Sequence, residues 1–445
     1  VATSSAATLF VHEAAPSVVV QPNDVTTWRG ATVKCAASVW GSEPRGYQWR
    51  HDGQPIPGAT ESSLTLTDVS PAQAGGFDLV ITNSLGATTS RVARLMFSPV
   101  VAWGEVNSGK TLVPAAASNV VAVGAGANYS IALRTDGTII QWGYDYPNRS
   151  NVLSSLHDAI SIAAGSEHTL VLRADGSVVA CGYNGYGQTN VPTDLHNAVA
   201  IAAGYNFSAA LQTDGTVKAW GVNDEGQTNV PAGLRDVVAI ACGQAHVLAL
   251  RSDGSLVAWG NNYDGETNVP TGFKVVAIAA GRFHNLALCA DGTVIAWGYG
   301  RNGQTSVPYG LSNVVAIAAG DNHSVALLRN GTVQAWGSNF YGQTDFPPKA
   351  RDVWAITSGN NHCLALQGEA APVMEWPITG PVCVMGNFEA TIQTRSGRVY
   401  ALEYKDSLLR SNWIALPLAA GNEGQLKLKD PNAFGLQRFY RVRQW

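Results

Sequence analysis

Apolar residues run along this chain in short stretches, each closed by glycine or by a turn dipeptide. From about residue 99 onward, three such stretches form a unit that repeats. The copy that opens at Trp259 reads WGNNYDGETNVPTGFKVVAIAAGRFHNLALCADGTVIA. A VVAIAAG-like stretch comes first, an HNLAL-like stretch second and a TVIAWG-like stretch third. The second and third are joined at Asp136-Gly137, Asp175-Gly176, Asp214-Gly215, Asp253-Gly254, Asp291-Gly292 and Asn330-Gly331. Such pairs adopt the positive-φ conformations of two-residue hairpins. The stretches are β-branched and too short for the 3.6-residue period of a helix. Each unit therefore predicts three or four strands in a meander.

The period is regular. Trp103, Trp142, Cys181, Trp220, Trp259, Trp297 and Trp336 each precede a glycine, at separations of 39, 39, 39, 39, 38 and 39 residues. Strand-built units of about 40 residues predict a β-propeller, here seven-bladed. The second strands begin at Tyr129, His168, Phe207, His246, His284, His323 and His362. The last is followed by Gln367-Gly368 and has no third strand. The missing strand stands at the other end, as VVAWG over residues 100–104. Its expected pairing with the last unit closes the ring, which removes sheet edges.

The GxxHxLALxxDGxVxAWGxNxxGQ pattern resembles the RCC1 (regulator of chromosome condensation) repeat family over residues 99–366. The short unit with GQTNVP, at 187–192 and 226–231, is most similar to secreted bacterial β-lactamase-inhibitory propellers. The first resemblance implies a propeller whose eukaryotic relatives bind a small GTPase and chromatin. The second implies an exported protein that inhibits an enzyme by binding it. The units here are short, and no basic tail accompanies them.

The flanks predict further β structure. Residues 12–98 resemble an immunoglobulin-like domain of the I-set kind, with Cys35 on one strand, Trp49 as core tryptophan, and SLTLTDVSPAQAGGFDLVITN as two strands and their corner. Leu79 stands where that family has its second cysteine, and Phe77 where it has the corner tyrosine. Apolar packing must therefore hold this domain. Residues 1–11, VATSSAATLFV, echo ATTSRVARLMF at 87–97. They read as the remnant of a preceding immunoglobulin-like unit, or as an extra strand for β-augmentation with a neighbouring molecule. A linker is expected at 368–381 and a C-terminal β-sandwich-like module at 382–445. The fold class is thus all-β throughout.

Composition narrows the function. Of 445 residues 46% are apolar and 13% charged, and the net charge is −4 without a basic stripe. Nucleic-acid binding, which needs phosphate neutralisation, is not expected. No run of 18 apolar residues occurs, so no membrane insertion is expected. The chain opens at Val1 without a charged n-region, which reads as a signal peptide absent or already removed. The six cysteines form no CxxC and no zinc-finger spacing.

Three motifs invite chemistry and fail in context. Residues 104–111 match GxxxxGK[ST], but no helical period follows to meet a phosphate. Lys110 occupies the Gln or Glu position of the repeat loop. Residues 298–303 match GxGxxG in that same loop. His168, His246, His284, His323 and His362 share one repeat position, and a ring of that size cannot converge them on a metal. They are expected to bond the turn that precedes them. No cofactor, metal or catalytic site is expected.

Strand parity puts the GxxH turns and the WGxNxxGQ loops on one face and the Asp-Gly turns on the other. The first face is the more variable. It carries Tyr144, Tyr146, Tyr183, Tyr186, Tyr205, Tyr263, Arg282, Phe283, Tyr299, Arg301, Phe340 and Tyr341. Aromatic residues with arginine typify protein-binding patches. The expected function is an extracellular, bacterial, non-catalytic binding or adhesion protein whose partner, a protein or surface ligand, meets this face. The alternatives are self-association into a surface or filament subunit through residues 1–11, and inhibition of an enzyme.

Overall fold

The computed structural model describes residues 13–147, 149–368, 379–384, 387–395, 398–405, 414–422, 424–431, 433 and 438–444. The extra strand expected at 1–11 lies outside the described residues, as does most of the 368–381 linker. The chain divides into two compact units, Val1–Ser98 and Pro99–Trp445.

In the first unit a sheet runs in the order Val25–Thr27, Ala93–Phe97, Gly75–Asn83, Gly46–His51, Gln54–Pro55. Val33–Ala36 pairs with Ser63–Leu66, and Ser17–Val20 with Ser38–Trp40. Side-chain alternation sends Val33, Cys35, Trp49, Phe77, Leu79 and Ile81 into one core. Trp49 is fully buried, and its Nε1 donates to the Glu61 carbonyl at 3.0 Å. Cys35 is a free thiol packed in that core with Leu79.

From Val100 to Gln367 the chain builds seven three-stranded antiparallel sheets, named 1 to 7 in ring order. Sheet 1 is Val120–Ala125, Tyr129–Arg134 and Ile139–Gly143. Sheets 2 to 6 follow with the same register. Sheet 7 takes two strands from the end of the array, Val353–Ser358 and His362–Gln367, and its third, Val100–Gly104, from the beginning. Trp103 lies opposite Cys363 there, as Trp142 lies opposite Ser130 in sheet 1. The middle strands are buried along nearly their whole length, so both of their faces are packed away from water.

One junction recurs between successive sheets. The loop leaving each sheet folds over the next and ends at a buried residue seven positions after the tryptophan position. These residues are Lys110, Arg149, Gln188, Gln227, Glu266, Gln304 and Gln343. The next sheet's tryptophan Nε1 donates to that residue's carbonyl: Trp142 to Lys110 at 2.8 Å, Trp220 to Gln188 at 3.0 Å, Trp336 to Gln304 at 2.9 Å, Trp103 to Gln343 at 3.0 Å. A side chain on the middle strand donates to the same carbonyl: Ser130 to Lys110, Ser208 to Gln188 and Ser324 to Gln304, each at 2.8 Å. The histidine of the preceding sheet meets this side chain. His168 Nε2 lies 3.0 Å from Ser208 Oγ, His284 3.0 Å from Ser324 Oγ, and His362 2.9 Å from Ser130 Oγ. His246 reaches Asn285 Oδ1 at 2.9 Å and His323 reaches Cys363 Sγ at 3.0 Å.

The chain of donors fixes the tautomer. The hydroxyls spend their protons on the carbonyls, and Asn285 presents only its oxygen, so Nε2–H must be the donor in each histidine. This corrects the expectation that the imidazoles bond their own preceding turns. Backbone amides close those turns, such as Gly165 N to the His168 carbonyl at 2.9 Å, while the rings bridge to the next sheet. Where a histidine is replaced, its partner changes with it. Phe207 faces Val247 in one apolar cluster. The Tyr129 hydroxyl takes up Thr169 Oγ1 at 3.0 Å and the His168 carbonyl.

In the same unit, C-terminal strands form two small sheets around Ile392, Tyr400, Leu402 and Leu428. They pack on the propeller at the Asp-Gly end of sheets 5 and 6. Leu418 N donates to the Ala290 carbonyl at 2.9 Å. Buried Glu403 pairs with Arg329 of sheet 6 at 3.1 Å and with Arg441 at 2.7 Å.

Burial holds the five histidines neutral, down at about 4 for His168, His246 and His323 and about 3 for His284 and His362. Unfolded histidine binds its proton near pH 6.5, so the unfolded chain takes up protons first as pH falls. Stability is full above about pH 6.5 and is lost as pH falls from there toward about 4 for His168, His246 and His323 and toward about 3 for His284 and His362, on the order of 3 kcal/mol or more per histidine. Thermal unfolding across this range should show a steep acid limb. Replacing His284 with Phe and Ser324 with Val together, in the image of Phe207 and Val247, should make that limb shallower.

Glu266 stands where four other loops have glutamine. Its Oε2 accepts from Asp264 N at 2.9 Å, and its buried Oε1 has no hydrogen-bond partner among the described residues. Burial raises its pKa, so the folded form favours the proton and loses stability as pH rises above the ordinary carboxyl range. Glu266→Gln should stabilise the fold at pH 7 by about 1 kcal/mol, with the gain vanishing toward pH 4, as read by denaturant unfolding.

Candidate functional site

The antiparallel path fixes two ends to the ring of sheets. At one end lie the Asp-Gly hairpins. Each aspartate, or Asn330, accepts from the backbone N–H and hydroxyl of the Thr or Ser two residues on, as Asp214 does from Thr216 at 3.0 and 2.6 Å. At the other end lie the turns before the histidines and the loops after Trp-Gly.

The glycine after tryptophan is required. Its φ is positive in all seven copies, and a Cβ at Gly104 or Gly182 would lie 2.5 Å from the Asn361 or Glu167 carbonyl oxygen. That glycine turns the chain sharply onto the loop face. The loop then fastens itself. Asn184 accepts from Thr189 N at 2.9 Å and donates to Asn190 Oδ1 at 2.8 Å, and Asn223 and Asn339 do the same in their loops. Gln188 Oε1 accepts from Tyr186 N at 3.0 Å. Side chains four and five positions after the tryptophan position then project from a rigid frame.

The aromatic residues expected on this face fall into three groups. Tyr146, Tyr183 and Tyr186 form an edge-to-face row at 5.5 and 6.0 Å, with half-exposed Tyr144 in the same loop as Tyr146. Phe283 meets Tyr299 at 6.3 Å, with the Arg282 guanidinium 4.9 Å above the Phe283 ring. Tyr263, at 85% exposure, Phe340, at 88%, and Tyr341 project from the loops of sheets 4 and 6. Arg301 is exposed on the loop of sheet 5.

Tyr205 and Arg282 sit at the axis. There the turns of all seven sheets surround a cavity of about 80 Å³ with Ser166, Gln244, Asp321 and Asn360. Arg282 Nε donates to Gln244 Oε1 at 2.5 Å and stands 3.9 Å from Asp321. Burial raises the Asp321 pKa against the opposing pull of Arg282. The turn backbones link around the axis, with Arg282 N donating to the Gly320 carbonyl at 3.2 Å and Asp321 N to the Asn360 carbonyl at 3.1 Å. Asp321 stands in one of the turns before the histidines, and its axial position leaves no local mark in the sequence.

The remaining motifs resolve in place. The Lys110 ammonium is buried against Glu105 at 2.6 Å and the Ala127 carbonyl at 3.0 Å, and turns rather than a helix follow it, where a phosphate loop has its helix. Arg149 is buried over the Tyr129 ring at 3.5 Å and donates to Gln141 at 2.7 Å and to the Tyr144 carbonyl. Burial lifts the Cys363 thiol to about 12, so its pairing with His323 is a neutral hydrogen bond.

The family profile described as "Regulator of chromosome condensation (RCC1) repeat" matches residues 159–188, 198–227, 237–266, 275–304 and 314–343. These are sheets 2 to 6 with the loops that leave them cut at the buried glutamine position. No curated protein matches the chain. Among solved structures, Prp20p from Saccharomyces cerevisiae, described with its binding properties to Gsp1p and histones, aligns at 18% identity and a TM-score of 0.53. That alignment covers 61% of this chain and 92% of Prp20p. A structure of Kap60 bound to yeast RCC1 (Prp20) aligns at 19% identity and a TM-score of 0.53, covering 61% and 89%. Identity at this level speaks to fold alone. The chain carries RCC1 repeats, and its ring of three-stranded sheets is an RCC1-like β-propeller.

Proposed function

We propose that this chain is a non-catalytic binding protein that holds a protein partner on the loop face of its propeller. The observation that carries the reading is the projection of Tyr186, Tyr263, Phe340 and Tyr341 into solvent from loops fastened by their own hydrogen bonds. Large aromatics with few rotatable bonds, held on a preformed frame, give contact area at low ordering cost. The opposite end offers short polar turns, and at sheets 5 and 6 it is occupied by the C-terminal strands. Prp20p is described as binding Gsp1p and histones. The corresponding reading here is a protein partner, without transfer of those identities.

We read the first unit as immunoglobulin-like, on its buried Trp49, Cys35 and Leu79 core, and the setting as outside the cell. Such a chain acts in adhesion or recognition, with binding carried by the propeller.

The test is capture of the partner from the cell surface or medium of the source organism, followed by titration against variants. Tyr263→Ala and Phe340→Ala should each weaken binding about thirty-fold, the range of aromatic hot spots, with unchanged thermal unfolding. Replacing Thr216 and Ser255 at the opposite turns should leave binding as it was. Full binding by a Tyr186, Tyr263, Phe340 and Tyr341 quadruple alanine variant would overturn the assignment.

A further inference from the structure

The axial cavity holds hydrogen-bonding capacity that the protein does not spend. Ser166 lines it at 8% exposure, and its hydroxyl makes no hydrogen bond among the described residues. The Asp321 side chain is 16% exposed, and its carboxylate accepts no hydrogen bond among them either. Burial raises its pKa, as befits a carboxylate short of donors, against the pull of Arg282 and Lys110. Polar groups buried without partners are costly, charged ones above all, so a ligand that supplies those partners is favoured there. Arg282 spends its Nε–H on Gln244 Oε1 at 2.5 Å, which leaves its two terminal nitrogens and the Gln244 amide nitrogen as donors.

These groups are sorted around the axis. Gln244 and Arg282, on the turns of sheets 4 and 5, offer donors. Asp321, on sheet 6, offers a charged acceptor, and Asn360, on sheet 7, has a side chain without a hydrogen bond among the described residues. The Arg282 cation and the Asp321 anion stand 3.9 Å apart, so a ligand that meets both must carry the opposite charges side by side. An α-amino acid does, with carboxylate and ammonium on one carbon. A ligand with only a carboxylate would be repelled by Asp321, and one with only an ammonium by Arg282. The cavity, of about 80 Å³, has room for on the order of five to eight water-sized groups, enough for glycine or alanine. Its walls are held by the turns themselves, with Gln244 N donating to the Arg282 carbonyl at 3.1 Å and Asn360 N to the Gly126 carbonyl at 3.4 Å, so little ordering is left for a ligand to impose.

We propose that the axial cavity binds a small zwitterion, an α-amino acid of the size of glycine or alanine. Its carboxylate is held by Arg282 and the Gln244 amide, its ammonium by Asp321 and Asn360, and the Ser166 hydroxyl closes the ring of partners from sheet 2. The site is separate from the projecting aromatic residues read as the protein-binding surface, and each assignment stands or falls without the other.

The test is equilibrium dialysis of radiolabelled glycine against the full chain. Glycine should saturate a single site with a Kd of about 1 mM. Unlabelled L-alanine should displace it, and acetate and methylammonium, each with one of the two charges, should do so about tenfold less well. Asp321→Asn and Arg282→Gln should each weaken binding about tenfold, and Ser166→Ala about threefold, with the fold of each checked by thermal unfolding. The competition uses the unaltered chain and decides the matter even where a variant fails to fold. No saturable binding of glycine up to about 50 mM would overturn the proposal. Displacement by acetate or by methylammonium as strong as that by L-alanine would reveal a site for one charge alone and overturn it too. Unchanged binding in all three folded variants would put the glycine outside the cavity, with the same consequence.

Discussion

Everything in the propeller depends on one hydrogen-bonded junction between neighbouring sheets. A loop carbonyl from one sheet receives the tryptophan Nε1–H and a hydroxyl, amide or thiol of the next, and that side chain accepts from a neutral histidine of the first. The interior of a propeller is a stack of apolar middle strands, which would slide if only methyl groups met there. The buried Nε2–H, hydroxyl and amide groups that meet partners there fix one register and make any other costly. The junction spans sheet 7 and sheet 1 as it does four other neighbouring pairs, through His362, Ser130 and the Lys110 carbonyl. The ring is thus held by the same interaction at its chain-closing seam as inside the repeats.

This arrangement separates stability from recognition. The buried end of each loop serves the junction, the middle is fastened by asparagine and glutamine, and the residues two, four and five positions after tryptophan, with those of the turns before the histidines, are free to differ. They have diverged into tyrosines and phenylalanines on some sheets and carboxylates on others. The opposite end is uniform, with aspartate, glycine and a hydroxyl residue in tight hairpins, and it bears the C-terminal strands on sheets 5 and 6. The division of labour along one repeat explains how a chain with 13% charged residues still presents a chemically distinct face.

Much of this was legible because the repeats act as their own alignment. Trp-Gly and Asp-Gly at fixed offsets give the strands, their turns and the face each loop occupies, and residues 100–104 announce the closing strand. What spacing could not show was direction across the sheet. The histidine position reads as a turn residue, because its bond to the next sheet spans about 40 residues and leaves no local mark. A signal existed in the residue after it. Ser130, Thr169, Ser208, Asn285, Ser324 and Cys363 are polar or polarisable in strands otherwise apolar, and the exception, Val247, accompanies Phe207 in place of histidine. The candidate site was legible as a list of aromatic residues. Their grouping into a tyrosine row, a cluster beside Arg282 and isolated projecting rings depends on loop conformation that sequence does not carry. The packing of Glu403 against Arg329 joins residues far apart in sequence, so a C-terminal module read from sequence alone stands apart from the propeller it covers.

The central claim, that neutral histidines donating from Nε2 hold the sheets in register, is tested most directly by nitrogen-15 NMR of labelled imidazoles in the full chain. The account predicts that His168, His246, His284, His323 and His362 show the Nε2–H tautomer and remain neutral from pH 8 to pH 5. Nδ1–H tautomers at these positions, or titration near pH 6.5 while the fold is intact, would contradict it.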